Sequence, residues 1–192
     1  MTELMRYAAL LADATRKGGL PPVERWNPPY CGEIDLLIRR DGLWIHEGTP
    51  IGRAPLVRLF STVLKKEGER YFLVTPVEKL GIKVEDAPFL AVLMRRDGEG
   101  GKARLIFTTN VGDEAAAGPD HALVFRETAV AGEKAPYIHV RHELWALVAR
   151  AVFYELVGLG EKREIGGEDM FGVASGGVFF PFGPASAVFG EG

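Results

Sequence analysis

The chain has 192 residues, 47% of them apolar and 26% charged, which is ordinary for a globular protein of one domain or two small ones. Its formal net charge of −3 argues against a general nucleic-acid surface, which needs a basic stripe, but leaves room for a small basic pocket around one anion. The single cysteine, Cys31, excludes an intramolecular disulfide; with no apolar run behind basic residues at the N-terminus, and Arg150 and Glu155 breaking the longest apolar stretch near the C-terminus, the expectation is a cytoplasmic protein without membrane spans.

Residues 2–17 read as a helix, capped by Thr2, with Leu4, Ala8, Leu11 and Thr15 on one face and Gly18–Gly19 as its stop. Pro21–Pro22 and Pro28–Pro29 then force an extended path. Ile34, Leu36 and Ile38 alternate as a strand, Asp41–Gly42 signals a hairpin, and Leu43–His46 returns. Pro55 suits the first position of a helix whose buried stripe is Leu56, Leu59, Phe60, Val63 and Leu64, with Arg58, Ser61, Lys65 and Lys66 toward water. Strands follow at Tyr71–Val74, Ile82–Val84, Phe89–Met94, Ala103–Thr108, Ala122–Glu127 and Pro136–Val140. A second helix is expected over 142–157, apolar on more than one face, and the aromatics of the glycine-rich tail point to a docked strand.

One pattern occurs twice. Arg53 aligns with Arg141, Leu56 with Leu144 and Leu59 with Leu147, each time an arginine before an apolar stripe. The spacing exceeds the roughly 20–50 residues of solenoid repeats, so it indicates one duplicated unit and a seam between two halves. The expected fold is α+β: two related half-domains, mainly antiparallel strands with a helix each, spanning residues 1–80 and 81–192.

The run Trp26–Asn27–Pro28, Cys31–Gly32–Glu33–Ile34–Asp35, Asp41–Gly42–Leu43–Trp44, Pro50–Ile51, Arg53 and Leu56–Phe60 resembles the bacterial family catalogued as domain of unknown function 1285. The likeness continues through Leu73–Lys79, Val84–Phe89, Pro136–Ile138, Arg141 and Ser175–Gly177, and so covers nearly the whole chain from about residue 20. It implies a duplicated core of two α+β domains, the second resembling a pleckstrin-homology-like barrel. It also implies a nucleotide-like ligand at the seam and a signalling role.

Each candidate residue has a functional and a structural reading. Arg53 precedes a helix N-terminus and can bind an anion there, or it can pair with Glu33, Asp35 or Glu47. Arg141 is its counterpart in the second copy, as ligand contact or structural arginine. In Thr75–Lys79, Thr75 can donate a hydrogen bond and Lys79 can meet a phosphate, unless the segment is a plain turn. Trp26 and Trp44 can stack on a base or simply fill the core. Asn110 reads as a turn residue and Cys31 as a small packing residue.

Catalytic sets are thin. His46 and Glu47 are adjacent in a strand and so point to opposite faces, and His139 and His142 lack a third metal ligand. The expectation is a non-catalytic protein that binds a small anionic, nucleotide-like ligand through Trp26, Arg53, Thr75, Lys79 and Arg141, without a cofactor or metal. A nucleotide hydrolase or transferase using Asp35, His46 or Glu47 is the alternative, and a protein-interaction module a third.

Overall fold

A computed structural model of the chain describes Leu11 and residues 19–189. The helix expected over 2–17 otherwise lies outside the described residues. The chain divides into two compact units, Met1–Glu85 and Asp86–Gly192.

In the first unit β1 (Tyr30–Ile38), β2 (Trp44–His46) and β3 (Thr49–Pro50) form a meander. Its first turn is the expected one: Gly42 has φ 84°, and the Leu43 N–H donates to Asp41 Oδ1 at 3.1 Å. Helix α1 (Ala54–Ser61) follows, with Pro55 in its first turn, where a missing N–H costs no hydrogen bond. The second meander is β4 (Leu64–Glu67), β5 (Arg70–Val74) and β6 (Lys79–Val84). The sheet order is β3-β2-β1-β6-β5-β4, and β1 and β6 run parallel at its centre. Ladder partners share a face: Leu64, Leu73, Leu80, Ile82, Ile38 and Trp44 are buried on one side. Trp44 is therefore a core residue, 2% exposed. Two surface expectations fail here. Ser61 is 2% exposed and donates to the Arg58 carbonyl at 2.7 Å, and Lys65, expected on the helix but the second residue of β4, is largely covered.

The second unit repeats this wiring. Strands β7 (Phe89–Asp97), β8 (Arg104–Thr109), β9 (Glu114–Ala116), β10 (Leu123–Glu127), β11 (Lys134–Arg141) and β12 (Leu144–Val148) form a curled half-barrel in the order β10-β11-β12-β7-β8-β9. Its first and last strands again lie side by side and parallel. The fold is thus duplicated, mainly strands with a helix in each half, but the duplication relates β1 to β7 and β6 to β12. It does not relate Arg53 to Arg141. Arg53 precedes α1, between the third and fourth strands, whereas Arg141 ends the fifth strand of its sheet.

The helix expected over 142–157 is two elements. His142 takes φ 50° in a tight turn, β12 follows, and α2 (Arg150–Gly158) begins after Ala149. In β12, Leu144, Ala146, Leu147 and Val148 are all buried between β11 and β7. A central strand covered on both faces shows a continuous apolar run, which periodicity cannot tell from a buried helix.

The tail does dock. Strands β13 (Glu161–Ile165), β14 (Glu168–Ser175) and β15 (Val178–Pro184) form a three-stranded sheet, followed by α3 (Ala185–Phe189). Phe182 lies 5.6 Å from the Phe125 ring and 6.2 Å from the Phe153 and Phe171 rings, within aromatic contact range. Ser175, 1% exposed, stitches this sheet to the half-barrel. Its hydroxyl accepts from the Leu105 N–H at 2.8 Å and donates to the Ala117 carbonyl at 2.7 Å.

Candidate functional site

The second face of the first unit's sheet is ionic and aromatic. Ladder register places Lys65 beside Phe72, Glu67 beside Arg70, Phe72 beside Gly81, and Lys79 beside both Tyr30 and Val74. The Lys79 ammonium donates to Glu67 Oε2 at 2.7 Å and stands 4.9 Å from the Phe72 ring centroid. Lys65 reaches Glu67 Oε1 at 3.5 Å and donates to the Trp26 carbonyl at 3.3 Å. The lysine side chains are only 11% and 15% exposed. One carboxylate therefore serves two mostly buried ammonium groups, leaving a local excess of one positive charge.

The hydrogen bond from Lys79 holds the Glu67 carboxyl below its ordinary pKa, against the cost of burial, and the charges of both lysines add to this. Alongside, Arg70 packs over the Tyr30 and Phe72 rings, 5.2 and 5.0 Å from their centroids, and pairs with Glu33. Tyr30 Oη donates to Glu33 Oε1 at 2.6 Å; that bond, followed by the Arg70 guanidinium, lowers the Glu33 pKa. Gly81 makes room for this pair, since a Cβ there would stand on the Glu33 carboxylate.

Of the five residues expected at the site, this face joins two. Trp26, half-buried just after a short 3-10 turn (Val23–Arg25), and Lys79 are linked through Lys65 and Glu67. Thr75, 2% exposed, lies one turn before Lys79 with its hydroxyl committed. It accepts from the Glu78 and Val77 N–H groups at 3.0 and 3.3 Å and donates to the Glu78 carbonyl at 3.3 Å. Arg53 is exposed, and among the described residues no hydrogen bond or ion pair engages its guanidinium; Glu33 pairs with Arg70 instead. Arg141 belongs to the second unit, where it pairs with Asp113 at 2.5 Å and packs over Phe89, 12% exposed.

The catalytic alternatives gain no geometry. His46 Nδ1 faces the Asp35 backbone carbonyl at 2.9 Å, and not its carboxylate. Both His139 nitrogens face backbone carbonyls, of Asp120 and His142, and no described group of three potential ligands converges. Cys31 is exposed, which corrects its packing role.

The sequence reading missed Lys65, Glu67, Arg70 and Phe72. Their signal is the period-two series Lys65, Glu67 and then Arg70, Phe72 across Gly68–Glu69, a two-residue hairpin.

A family model described as domain of unknown function (DUF1285), N-terminal domain, matches residues 21–87. Another, described as protein of unknown function (DUF1285), C-terminal domain, matches residues 88–182. The crystal structure of a DUF1285 family protein from Silicibacter pomeroyi DSS-3 is similar over 93% of this chain and 97% of its own, at 49% identity and a TM-score of 0.82. That of a DUF1285 family protein from Shewanella baltica OS155 is similar over 65% of this chain and 91% of its own, at 26% identity and a TM-score of 0.50. No curated protein matches the chain.

Proposed function

This chain belongs to the DUF1285 family, and from that premise we propose that it is a non-catalytic, cytoplasmic ligand-binding protein with a signalling or regulatory role. Its ligand is a small anion of nucleotide-like character. The observation that carries this reading is the pair of mostly buried ammonium groups, Lys65 and Lys79, sharing the single carboxylate of Glu67 beside the half-buried Trp26. An anion completes the charge balance of such a cluster, and an aromatic face beside it accepts a base without needing a fixed hydrogen-bond pattern. Arg53, exposed and unpaired, is the cation tested beside them. No helix among the described residues is long and apolar enough to cross a membrane.

The test is a thermal-shift screen of the pure protein against nucleotides, read beside Lys79→Met and Lys65→Met. A ligand at about 100 times its Kd adds about 2.7 kcal/mol to the folded state, so a hit raises the melting temperature by several degrees. Each variant should lose most of that rise relative to its own baseline. A rise kept in full by both variants removes the cluster from the site. Turnover of a hit favours the hydrolase alternative, and no hit at all favours an interaction module.

A further inference from the structure

The second unit contains a cleft of about 540 Å³ between the far end of the β7–β8 hairpin and the three-stranded sheet. This volume lies within the range of small-molecule sites, roughly 300–1,000 Å³. Its lining is both polar and apolar. Leu105, 3% exposed, lies on the floor, and Val178 adds a half-buried apolar wall. Arg96 is the ladder partner of Leu105, so its cation stands beside that floor. Among the described residues no hydrogen bond or ion pair engages Arg96, and it is exposed. Arg163, lining the same cleft, is already positioned: Nε and Nη2 donate to Glu161 Oε1 at 2.7 and 2.6 Å, and the guanidinium packs over Phe179 at 4.8 Å. Two guanidiniums and one carboxylate leave a net charge of +1 around an apolar floor. Gly101, also on the wall, has no left-handed backbone, and a Cβ there would meet nothing within 4 Å.

From this arrangement we propose that the cleft is a second ligand site, for a small soluble monoanion with an aryl or short alkyl body, such as a carboxylate, sulfonate or phosphate diester. The acidic group meets the unpaired Arg96, with Arg163 as a fixed second donor, and the body covers Leu105 and Val178. An unpaired guanidinium gives charge-assisted hydrogen bonds to an oxyanion, and the apolar floor contributes in proportion to the area removed from water. The site lies wholly within the second unit, so it stands or falls separately from the lysine cluster of the first.

The experiment uses the full chain and the fluorescent sulfonate 1-anilinonaphthalene-8-sulfonate as probe, with its uncharged analogue N-phenyl-1-naphthylamine as comparison. The wild-type protein should bind the sulfonate saturably at one site. Arg96→Gln should weaken that binding at least fivefold while leaving the uncharged analogue unaffected. Gly101→Phe, which fills open space, should remove both. Circular dichroism melts check that each variant is folded; if Gly101→Phe fails to fold, Arg96→Gln alone decides. No saturable binding by the wild type overturns the proposal, as does undiminished sulfonate binding in Arg96→Gln.

Discussion

The Lys79 ammonium and the Glu67 carboxylate stand 2.7 Å apart across the first unit's sheet, and Glu67 titrates below its ordinary range because of that hydrogen bond. A carboxyl whose folded pKa lies below its unfolded value stabilises the fold above the unfolded pKa. That contribution disappears as the pH falls through the folded one. Unfolding free energy should therefore drop as the pH is lowered past the ordinary Glu value of 4.5. Lys79→Met should flatten this acid limb and cost about 1 kcal/mol near neutral pH, below the roughly 1.5–3 kcal/mol of a fully buried charged hydrogen bond because Glu67 is partly exposed. Urea titrations at a series of pH values measure both; an unchanged acid limb in the variant rejects the coupling.

Thr75→Val keeps the shape of a buried side chain but removes the acceptor of the Val77 and Glu78 N–H groups. Stranding them should cost about 1–3 kcal/mol, and Thr75→Ser should restore most of it. If Thr75→Val is as stable as the wild type and loses only ligand, the hydroxyl serves the ligand and not the turn.

Arg53 and Arg141 should behave in opposite ways. Arg53→Ala changes an exposed, unpaired side chain, so the unfolding free energy of the free protein should stay within about 0.5 kcal/mol of the wild type while nucleotide binding weakens. Arg141→Ala leaves Asp113 mostly buried without its cation and uncovers the Phe89 ring, which should cost about 3 kcal/mol. Parallel thermal melts distinguish them, and equal losses would contradict the assignment.

Gly172→Ala should disrupt the three-stranded sheet. A Cβ at Gly172 would run into the Phe180 carbonyl and the Pro181 Cα, both backbone atoms that cannot swing aside. Overpacking against backbone should cost at least about 1–3 kcal/mol. Faster hydrogen exchange confined to residues 161–184 is the expected signature, and native protection there would disprove it.

Most strands were legible because one face of each is buried, so the alternation at Ile34, Leu36 and Ile38 and the Asp41–Gly42 turn appear directly in the residue order. The Leu144–Val148 strand was hidden by its central position, where both faces are covered. The repeat was legible as a duplication but in the wrong register. What recurs is strand wiring, which needs only buried alternation, and the similar strings around Arg53 and Arg141 occupy different places in that wiring. Trp26 and Lys79 stood out because they lie in the motif blocks of the family resemblance, whereas Lys65 read as a solvated charge on a helix and Glu67 carried no reading. Only the ladder shows that they turn inward onto one face.

The parallel pairing of first and last strands has a consequence for how each half is assembled. The meanders β1–β3 and β4–β6 are local and close quickly, but they become one sheet only when β6 reaches β1, from Tyr30 to Lys79 along the chain. Closing that distance is the slow, entropically costly step, because long-range pairing must be ordered before it is rewarded. During synthesis the first half therefore stays open until β6 has emerged through Val84, although the Lys79–Glu67 pair, local to the β4–β6 meander, is able to form before that closure.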